Sequence, residues 1–127
     1  GEYVYSDIVT ASVELSFVSN FVREEYGRDD FYDVVIQGGA APYTIQEYLL
    51  VPVNYDPDTY YFRNSEHMEV LVKTTTAEES TYWLNKPRFQ TVVYTKNGQY
   101  FQDTIFAYYK VVVTDANGNS FSKVVPG

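Results

Sequence analysis

The sequence predicts an all-β protein folded as an antiparallel sandwich. Runs of alternating apolar and polar residues recur at spacings of roughly ten residues, with turn signals between them. The 127 residues include 14 Tyr and 8 Phe, and these residue types favour the pleated, half-buried surface of a strand. No amphipathic segment is long enough to predict a helix. Together these observations favour a sandwich of about seven to nine strands.

The length predicts one domain. A chain of 127 residues can bury a substantial core without dividing into smaller units. It contains no long linker, no low-complexity tract and no clear internal repeat. We therefore expect a single domain over residues 1–127. No apolar run approaches the ~20 residues of a membrane span, so we expect no direct insertion into a membrane.

Charge and cysteine content exclude several classes of partner and chemistry. The net charge is −8, which disfavours nucleic acid as a partner, because neutralising phosphates requires Lys and Arg. An acidic membrane surface is disfavoured for the same reason. The absence of Cys removes disulfides, thiol catalysis and the common structural zinc sites.

The first 75 residues contain four predicted strands. They cover residues 9–17, 31–37, 43–53 and 67–75. Charged residues 23–30 predict a turn between the first two strands, and Gly38-Gly39 predicts a break after the second. Pro52 indicates an edge or an end of the third strand, because proline cannot donate a ladder hydrogen bond. Residues 54–64 are rich in turn formers, with room for a short strand at 60–62.

The second half contains two predicted hairpins. Strands 89–95 and 100–106 flank Asn97-Gly98, a candidate for a type I′ turn. The last hairpin, 107–125, turns at Asn117-Gly118, where we expect positive φ angles. In the first strand of this hairpin, alternate apolar residues share one face, and we expect that face to lie in the core. Those residues are Tyr109, Val111 and Val113. Residues 77–87 are the least regular region and predict a single helical turn at 77–80.

Two motifs resemble bacterial surface immunoglobulin-like repeats of the PKD-like type. Residues 35–44, VIQGGAAPYT, resemble the strand, double-Gly and Pro-Tyr-Thr pattern of these repeats. Residues 109–120, YKVVVTDANGNS, resemble their closing strand and Asn-Gly turn. The middle of the chain, 50–106, is longer than such repeats usually allow. The resemblance implies an immunoglobulin-like sandwich in a bacterial secreted or cell-surface protein, where such domains act as spacers or adhesive modules and are typically not enzymes.

The residue pattern indicates no catalytic site. His67 is the only histidine, so neither a Ser-His-Asp triad nor a convincing zinc site can be assembled. Adjacent carboxylates in polar loops are typical of solvated turns rather than of a glycosidase pair, which requires two carboxyl groups across a cleft. Such pairs occur at Glu24/Glu25, Asp29/Asp30, Asp56/Asp58 and Glu78/Glu79. We expect a non-catalytic protein without a cofactor.

The final turn partly matches a calcium loop. Asp115, Asn117 and Asn119 alternate as hard-cation ligands often do. However, Gly118 falls too early for the glycine of such a loop, and no distant Glu follows. The alternative is a hairpin turn in which Asp115 accepts hydrogen bonds from backbone amides. The sequence favours that alternative and predicts no metal site.

Aromatic residues in the predicted connections are the candidate binding residues. They are Tyr55, Tyr60, Tyr61, Tyr82 and Trp83. Exposed aromatics can stack on sugars or anchor a protein partner, whereas buried ones would cover the open ends of the sandwich. For Trp83 we expect burial. Binding of a surface glycan predicts a flat, exposed aromatic row that includes Trp83, and binding of a protein partner predicts an apolar patch or a long unpaired edge strand.

Overall fold

Nine β-strands and one short 3₁₀ helix make up residues 13–127, the residues that the computed structural model describes. The strands are β1 (Ser16–Glu25), β2 (Asp29–Gln37), β3 (Tyr43–Pro52), β4 (His67–Ala77), β5 (Thr81–Pro87), β6 (Phe89–Lys96), β7 (Gln99–Phe106), β8 (Tyr109–Thr114) and β9 (Ser120–Val125). The 3₁₀ helix is Phe62–Asn64. Among the described residues, no helix combines the length and apolar character needed to cross a membrane.

The strands form an antiparallel sandwich with an additional hairpin. The three-stranded sheet has the order β1-β2-β5, and the four-stranded sheet has the order β4-β3-β8-β9. Within the described part of the chain, β6 and β7 pair only with each other. The two larger sheets bury one apolar cluster between them. It comprises Phe17, Tyr32, Val34, Ile36 and Leu84 from the first sheet and Tyr43, Ile45, Tyr109, Val111, Val113 and Val125 from the second. Burial of this apolar surface drives the association of the sheets. The all-β sandwich is therefore confirmed.

Several local predictions are confirmed. In β8, Tyr109, Val111 and Val113 are buried and alternate with half-buried residues. Asn97 and Gly98 have φ angles of 53° and 76°, as a type I′ turn requires. The final turn is different, because Gly118 has a φ of 87° while Asn117 is not among the residues with positive φ.

The first strand begins and ends later than predicted. β1 is Ser16–Glu25, whereas the alternation suggested 9–17; residues 9–12 lie outside the described part of the chain. The charged segment 23–30 was wrongly predicted to be a turn throughout, since the turn occupies only residues 26–28. The two strands continue through the charged residues, because Glu25 pairs with Asp29 and Glu24 with Asp30 in the β1–β2 ladder.

Two predictions for the connections are also wrong. Residues 81–87 form β5, which pairs with β2 from Thr81 to Pro87. In place of the helical turn predicted at 77–80, Ala77 ends β4 and residues 78–80 form a bend before β5. Lys86 obscured the strand pattern, because this charged residue occupies an inward, buried position next to Leu84. The short strand predicted at 60–62 is replaced by the 3₁₀ helix.

Candidate functional site

The five predicted binding residues do not form one surface. Tyr55, Tyr60 and Tyr61 lie in the connection between β3 and β4. Tyr82 and Trp83 lie in strand β5, on opposite faces of the three-stranded sheet, and not in a connection as predicted. The structure therefore separates the predicted set into three locations with different surroundings.

Tyr55 and Tyr60 belong to an aromatic cluster that fixes the β6–β7 hairpin. The ring of Tyr55 lies 5.1 Å from that of Tyr60 and 5.5 Å from that of Tyr94 in β6. The Tyr55 hydroxyl donates a hydrogen bond to Asp103 in β7, with an oxygen–oxygen distance of 2.8 Å. Burial and this hydrogen bond raise the pKa of Tyr55 to about 12. These contacts give Tyr55 a structural role, whereas Tyr61 is 57% exposed.

His67, the only histidine, packs within the same region. Its ring lies 4.5 Å from that of Phe62, and Phe62 in turn stacks on Tyr108 at 3.8 Å. Burial lowers the pKa of His67, although a hydrogen bond with the Ser65 backbone opposes this effect. The imidazole therefore contributes to packing at the start of β4.

Tyr82 points into the sandwich and contacts a buried carboxylate. Its hydroxyl donates a hydrogen bond to Glu47 in the opposite sheet, and Glu47 is 2% exposed. Burial raises the pKa of Glu47, while the Tyr82 hydrogen bond and the charge of Lys73 lower it without cancelling that rise. Burial and the bond to Glu47 raise the pKa of Tyr82 to about 12. The sequence indicates that the Glu47 side chain points inward, because Glu47 lies two and four residues after Ile45 and Tyr43 and therefore shares their face of β3.

Trp83 lies on the outer face of the three-stranded sheet and is 43% exposed. The expectation that it is buried at the end of the sandwich is wrong, because side chains alternate along β5 and those of Tyr82 and Leu84 take the inward positions. The Trp83 ring stacks on Phe31 of β2 at 5.6 Å and 23°. The Arg23 guanidinium lies 4.8 Å from the Phe31 ring centre and 5.4 Å from that of Trp83. We call Arg23, Phe31 and Trp83 the outer platform.

The β4 strand is a long exposed edge of the four-stranded sheet. It spans His67–Ala77 and pairs with β3 on one side, and no strand among residues 13–127 pairs with its other side. Four apolar side chains on it are exposed to between 37% and 55% of their area. They are Met68, Val70, Leu71 and Val72. The register with β3 shifts between Leu71 and Lys73, which leaves Val72 in a β-bulge.

A cleft of about 530 Å³ opens beside the inner face of the three-stranded sheet, where that sheet approaches the base of the β6–β7 hairpin. Sequence analysis missed this site. Asp30 and Lys86 line it from paired positions of β2 and β5, and both side chains are almost entirely buried. Burial lowers the pKa of Lys86, and the charge of Asp30 opposes this effect. Lys86 lies two residues after Leu84 and therefore on the same inward face of β5. This spacing is the sequence feature that could have revealed the pair.

The Asp115 carboxylate joins the final turn to the double-Gly segment. Its oxygens accept hydrogen bonds from the backbone amides of Ala40, Asn117 and Asn119 at 2.9–3.2 Å, and from the Asn119 side chain. Burial alone would raise the pKa of Asp115, but these hydrogen bonds outweigh it and hold the pKa below its ordinary value. The two motifs that resemble surface repeats therefore contact each other here.

The described part of the chain contains no cluster of side chains that could coordinate a metal ion. Within residues 13–127, no three His, Cys, Asp or Glu side chains come close enough together to hold an ion. The backbone amides of Asn117 and Asn119 donate to the Asp115 carboxylate, and the backbone carbonyl of Asn119 accepts from the Asp115 amide.

Comparison with known proteins finds no matching family model, no matching curated protein and no matching solved structure.

Proposed function

We propose that this chain is a non-catalytic, immunoglobulin-like module of a bacterial secreted or cell-surface protein, and that it binds a protein partner through the β4 edge. The observation that carries the proposal is that no strand among residues 13–127 pairs with the outer side of β4, while four apolar side chains on the same strand are exposed. A free strand edge offers a row of backbone donors and acceptors to which an extended peptide can add as a further strand.

The details of β4 favour a specific partner over unspecific association. Exposed strand edges tend to aggregate unless bulges or charged residues interrupt them. β4 has a bulge at Val72 and carries Lys73 beside it, and Glu69 forms an ion pair with Lys110 at 3.1 Å. A partner strand must therefore match this bulge and charge pattern while it covers the apolar side chains.

The strand order supports the immunoglobulin-like part of the proposal. When β6 and β7 are set aside as an additional hairpin, the first, second and fifth strands form one sheet, and the third is flanked by the fourth and by β8 in the other. In immunoglobulin domains, strands A, B and E share one sheet and C, F and G share the other. The constant-type domain differs because its fourth strand joins the first sheet.

The location at a bacterial surface is supported by the two sequence motifs and their contact. Residues 35–44 and 109–120 resemble segments of PKD-like surface repeats, and the Asp115 carboxylate links them through Ala40. The backbone amide of Ala116 also donates to the Ala40 carbonyl at 2.8 Å. A shared fold does not by itself assign a partner, so the partner has to be identified by experiment.

Site-specific photo-crosslinking tests the β4 proposal. A photoreactive phenylalanine replaces Leu71 in one variant and Val93, an exposed residue of the hairpin, in the matched control. Both variants are expressed in the cells that produce the protein. We expect the Leu71 variant to capture one defined protein that the Val93 variant does not capture. Equal capture by the two variants, or none by the Leu71 variant, would contradict the proposal.

A second variant checks the mode of binding once the partner is purified. Leu71→Lys adds a charge at the free edge, where it opposes strand addition, and Val93→Lys adds the same charge elsewhere. Both positions are exposed, so we expect stability to change by no more than about half a kcal/mol. Binding of the partner should weaken only in Leu71→Lys.

Glycan binding is a second candidate function, and the outer platform favours it. Trp83 and Phe31 present stacked rings on an open sheet face, and stacked rings provide a flat surface for a sugar. The other predicted residues do not extend this platform, because Tyr55 and Tyr60 lie in a separate cluster. Loss of glycan binding in Trp83→Ala would support this candidate, whereas unchanged binding would exclude the outer platform as the site.

A further inference from the structure

The cleft that contains Asp30 and Lys86 has an unsatisfied polar group. The Asp30 side chain is 10% exposed, and its Oδ1 atom is buried without a hydrogen-bond partner among residues 13–127. The nearest cationic atoms are the Arg88 Nη1, 3.7 Å from Oδ1, and the Lys86 Nζ, 3.6 Å from Oδ2. These distances allow electrostatic attraction but are too long for hydrogen bonds. Buried acceptors are nearly always hydrogen-bonded, so the Asp30 carboxylate retains hydrogen-bonding capacity that the described residues do not use.

Lys86 provides the complementary donor. Its side chain is 1% exposed, and within residues 13–127 its Nζ makes one hydrogen bond, to the Pro87 carbonyl at 2.8 Å. An ammonium group has three protons to donate. The cleft therefore presents an acceptor and a donor on neighbouring strands, both on buried side chains that the sandwich holds in place.

The charges of the cleft cancel. Asp30 and Lys86 are paired, and the Arg88 guanidinium forms an ion pair with Glu24. A charged ligand would upset this balance in a partly desolvated site. A neutral ligand that both donates and accepts hydrogen bonds meets the requirement, and neighbouring hydroxyl groups of a sugar do both.

Aromatic rings provide the apolar part of the cleft. Phe21 and Phe106 line it and are 56% and 57% exposed, which is a large exposure for this residue type. Tyr32 holds the Phe21 ring in an edge-to-face arrangement at 5.5 Å. A ring fixed in this way offers a surface against which the C–H face of a sugar can pack.

We propose that this cleft binds a neutral saccharide, with one hydroxyl donating to Asp30, a neighbouring hydroxyl accepting from Lys86, and the sugar ring packed against Phe21 and Phe106. This site lies on the inner side of the three-stranded sheet and is distinct from the outer platform. It also does not depend on the β4 edge, so the proposed protein binding and this inference can fail separately.

Titration calorimetry with purified neutral hexasaccharides of glucose and mannose tests the inference. A hexagalacturonate, which has a comparable size but carries charge, is the matched ligand control. We expect saturable binding of at least one neutral hexasaccharide and none of the charged one. Preferred binding of the charged ligand, or no binding of any neutral hexasaccharide, would overturn the inference.

Three variants locate the site. Asp30→Asn keeps the shape of the side chain, and we expect about tenfold weaker binding or more, because hydrogen bonds to charged groups contribute most. Phe106→Ala removes an exposed ring at little cost to the fold and should weaken binding as well. Trp83→Ala should leave binding unchanged. If Trp83→Ala abolishes binding while Asp30→Asn and Phe106→Ala retain it, the site is the outer platform and the inference is wrong.

Discussion

The Tyr82 hydroxyl and the Glu47 carboxylate meet in the interior of the sandwich and join the two main sheets. Tyr82 comes from β5 in the three-stranded sheet and Glu47 from β3 in the four-stranded sheet. Thr75 of β4 lies within 3.4 Å of the same hydroxyl. The residues around this contact are mainly apolar, so it is a polar link within the core between the two sheets.

We expect Tyr82→Phe to destabilise the protein by ~1–3 kcal/mol. The substitution removes the donor and leaves the carboxylate of Glu47 buried without it, which costs the desolvation of that group. Tyr100→Phe is the matched control, because Tyr100 is 81% exposed and should lose almost nothing. Urea denaturation of both variants measures the difference, and equal midpoints would show that the contact does not contribute to stability.

Glu47→Gln should stabilise the protein increasingly as pH rises. The pKa of Glu47 is raised above its ordinary value of 4.5, so the folded state favours the protonated carboxyl. The stability that this group contributes is fully present below pH 4.5 and is lost as pH rises through the raised pKa. Glutamine remains neutral throughout and can still accept from Tyr82.

Melting temperatures of the wild type and Glu47→Gln across this range test the sign. The difference between them should be small in acid and should grow towards neutral pH in favour of the variant. A difference that stays constant with pH would contradict the raised pKa. The comparison isolates Glu47 because all other titrating groups are shared.

Gly38→Ala should cost far more stability than Gly118→Ala. Both residues have positive φ, at 72° and 87°, so alanine is strained at either position by ~1–2 kcal/mol. At Gly38 an added Cβ would also lie 2.3 Å from the Val13 carbonyl oxygen, whereas at Gly118 it would meet no atom of residues 13–127 within 4 Å. Chemical denaturation of the two variants compares them directly, and equal losses would show that the contact with Val13 is not maintained.

Trp83→Ala should cost only ~0.5–1.5 kcal/mol, the value of an aromatic pair, and not the ~3–5 kcal/mol of a buried tryptophan. Trp83 is the only tryptophan, so its fluorescence reports on this site alone. We expect red-shifted emission that acrylamide quenches readily. Blue-shifted, protected emission would show that the outer platform is covered in solution.

Calcium should not raise the melting temperature in a saturable manner. The Asp115 carboxylate already accepts four N–H groups, and a bound ion would have to compete with them. Asp115→Ala should lower the melting temperature with or without calcium, because the final turn and the double-Gly segment lose their link. A saturable rise at millimolar calcium that Asp115→Ala abolishes would contradict this prediction.

The elements that could be predicted are those whose pattern is local. β8 alternates buried Tyr109, Val111 and Val113 without interruption, and the Asn97-Gly98 turn requires only two residues in a suitable conformation. β5 escaped prediction because its inward positions include Lys86, a charged residue whose burial depends on Asp30 in a neighbouring strand. Such a pair is not visible until β2 and β5 are placed side by side.

The candidate sites were predicted less well than the fold, for a related reason. Residues 77–87 show no regular alternation of apolar and polar residues, so the sequence predicts a connection there. Tyr82 and Trp83 therefore fall into the same predicted class as Tyr55 and Tyr60. Once β5 is a strand, its alternation sends Tyr82 inward and Trp83 outward. The exposed edge at β4 could be anticipated only in general terms, because exposure depends on which strands lie beside it.

The β6–β7 hairpin leaves and rejoins the sandwich at nearly the same point. The Ala107 amide donates to the Arg88 carbonyl at 2.9 Å, and the Arg88 amide donates to the Arg28 carbonyl at 2.8 Å. These two bonds close the base of the β6–β7 hairpin next to the β1–β2 turn, and neither of them involves the residues between Phe89 and Phe106. Because the entropy of closing a loop grows only slowly with its length, evolution or engineering can shorten, extend or replace this arm while β5 and β8 keep their places in the sheets.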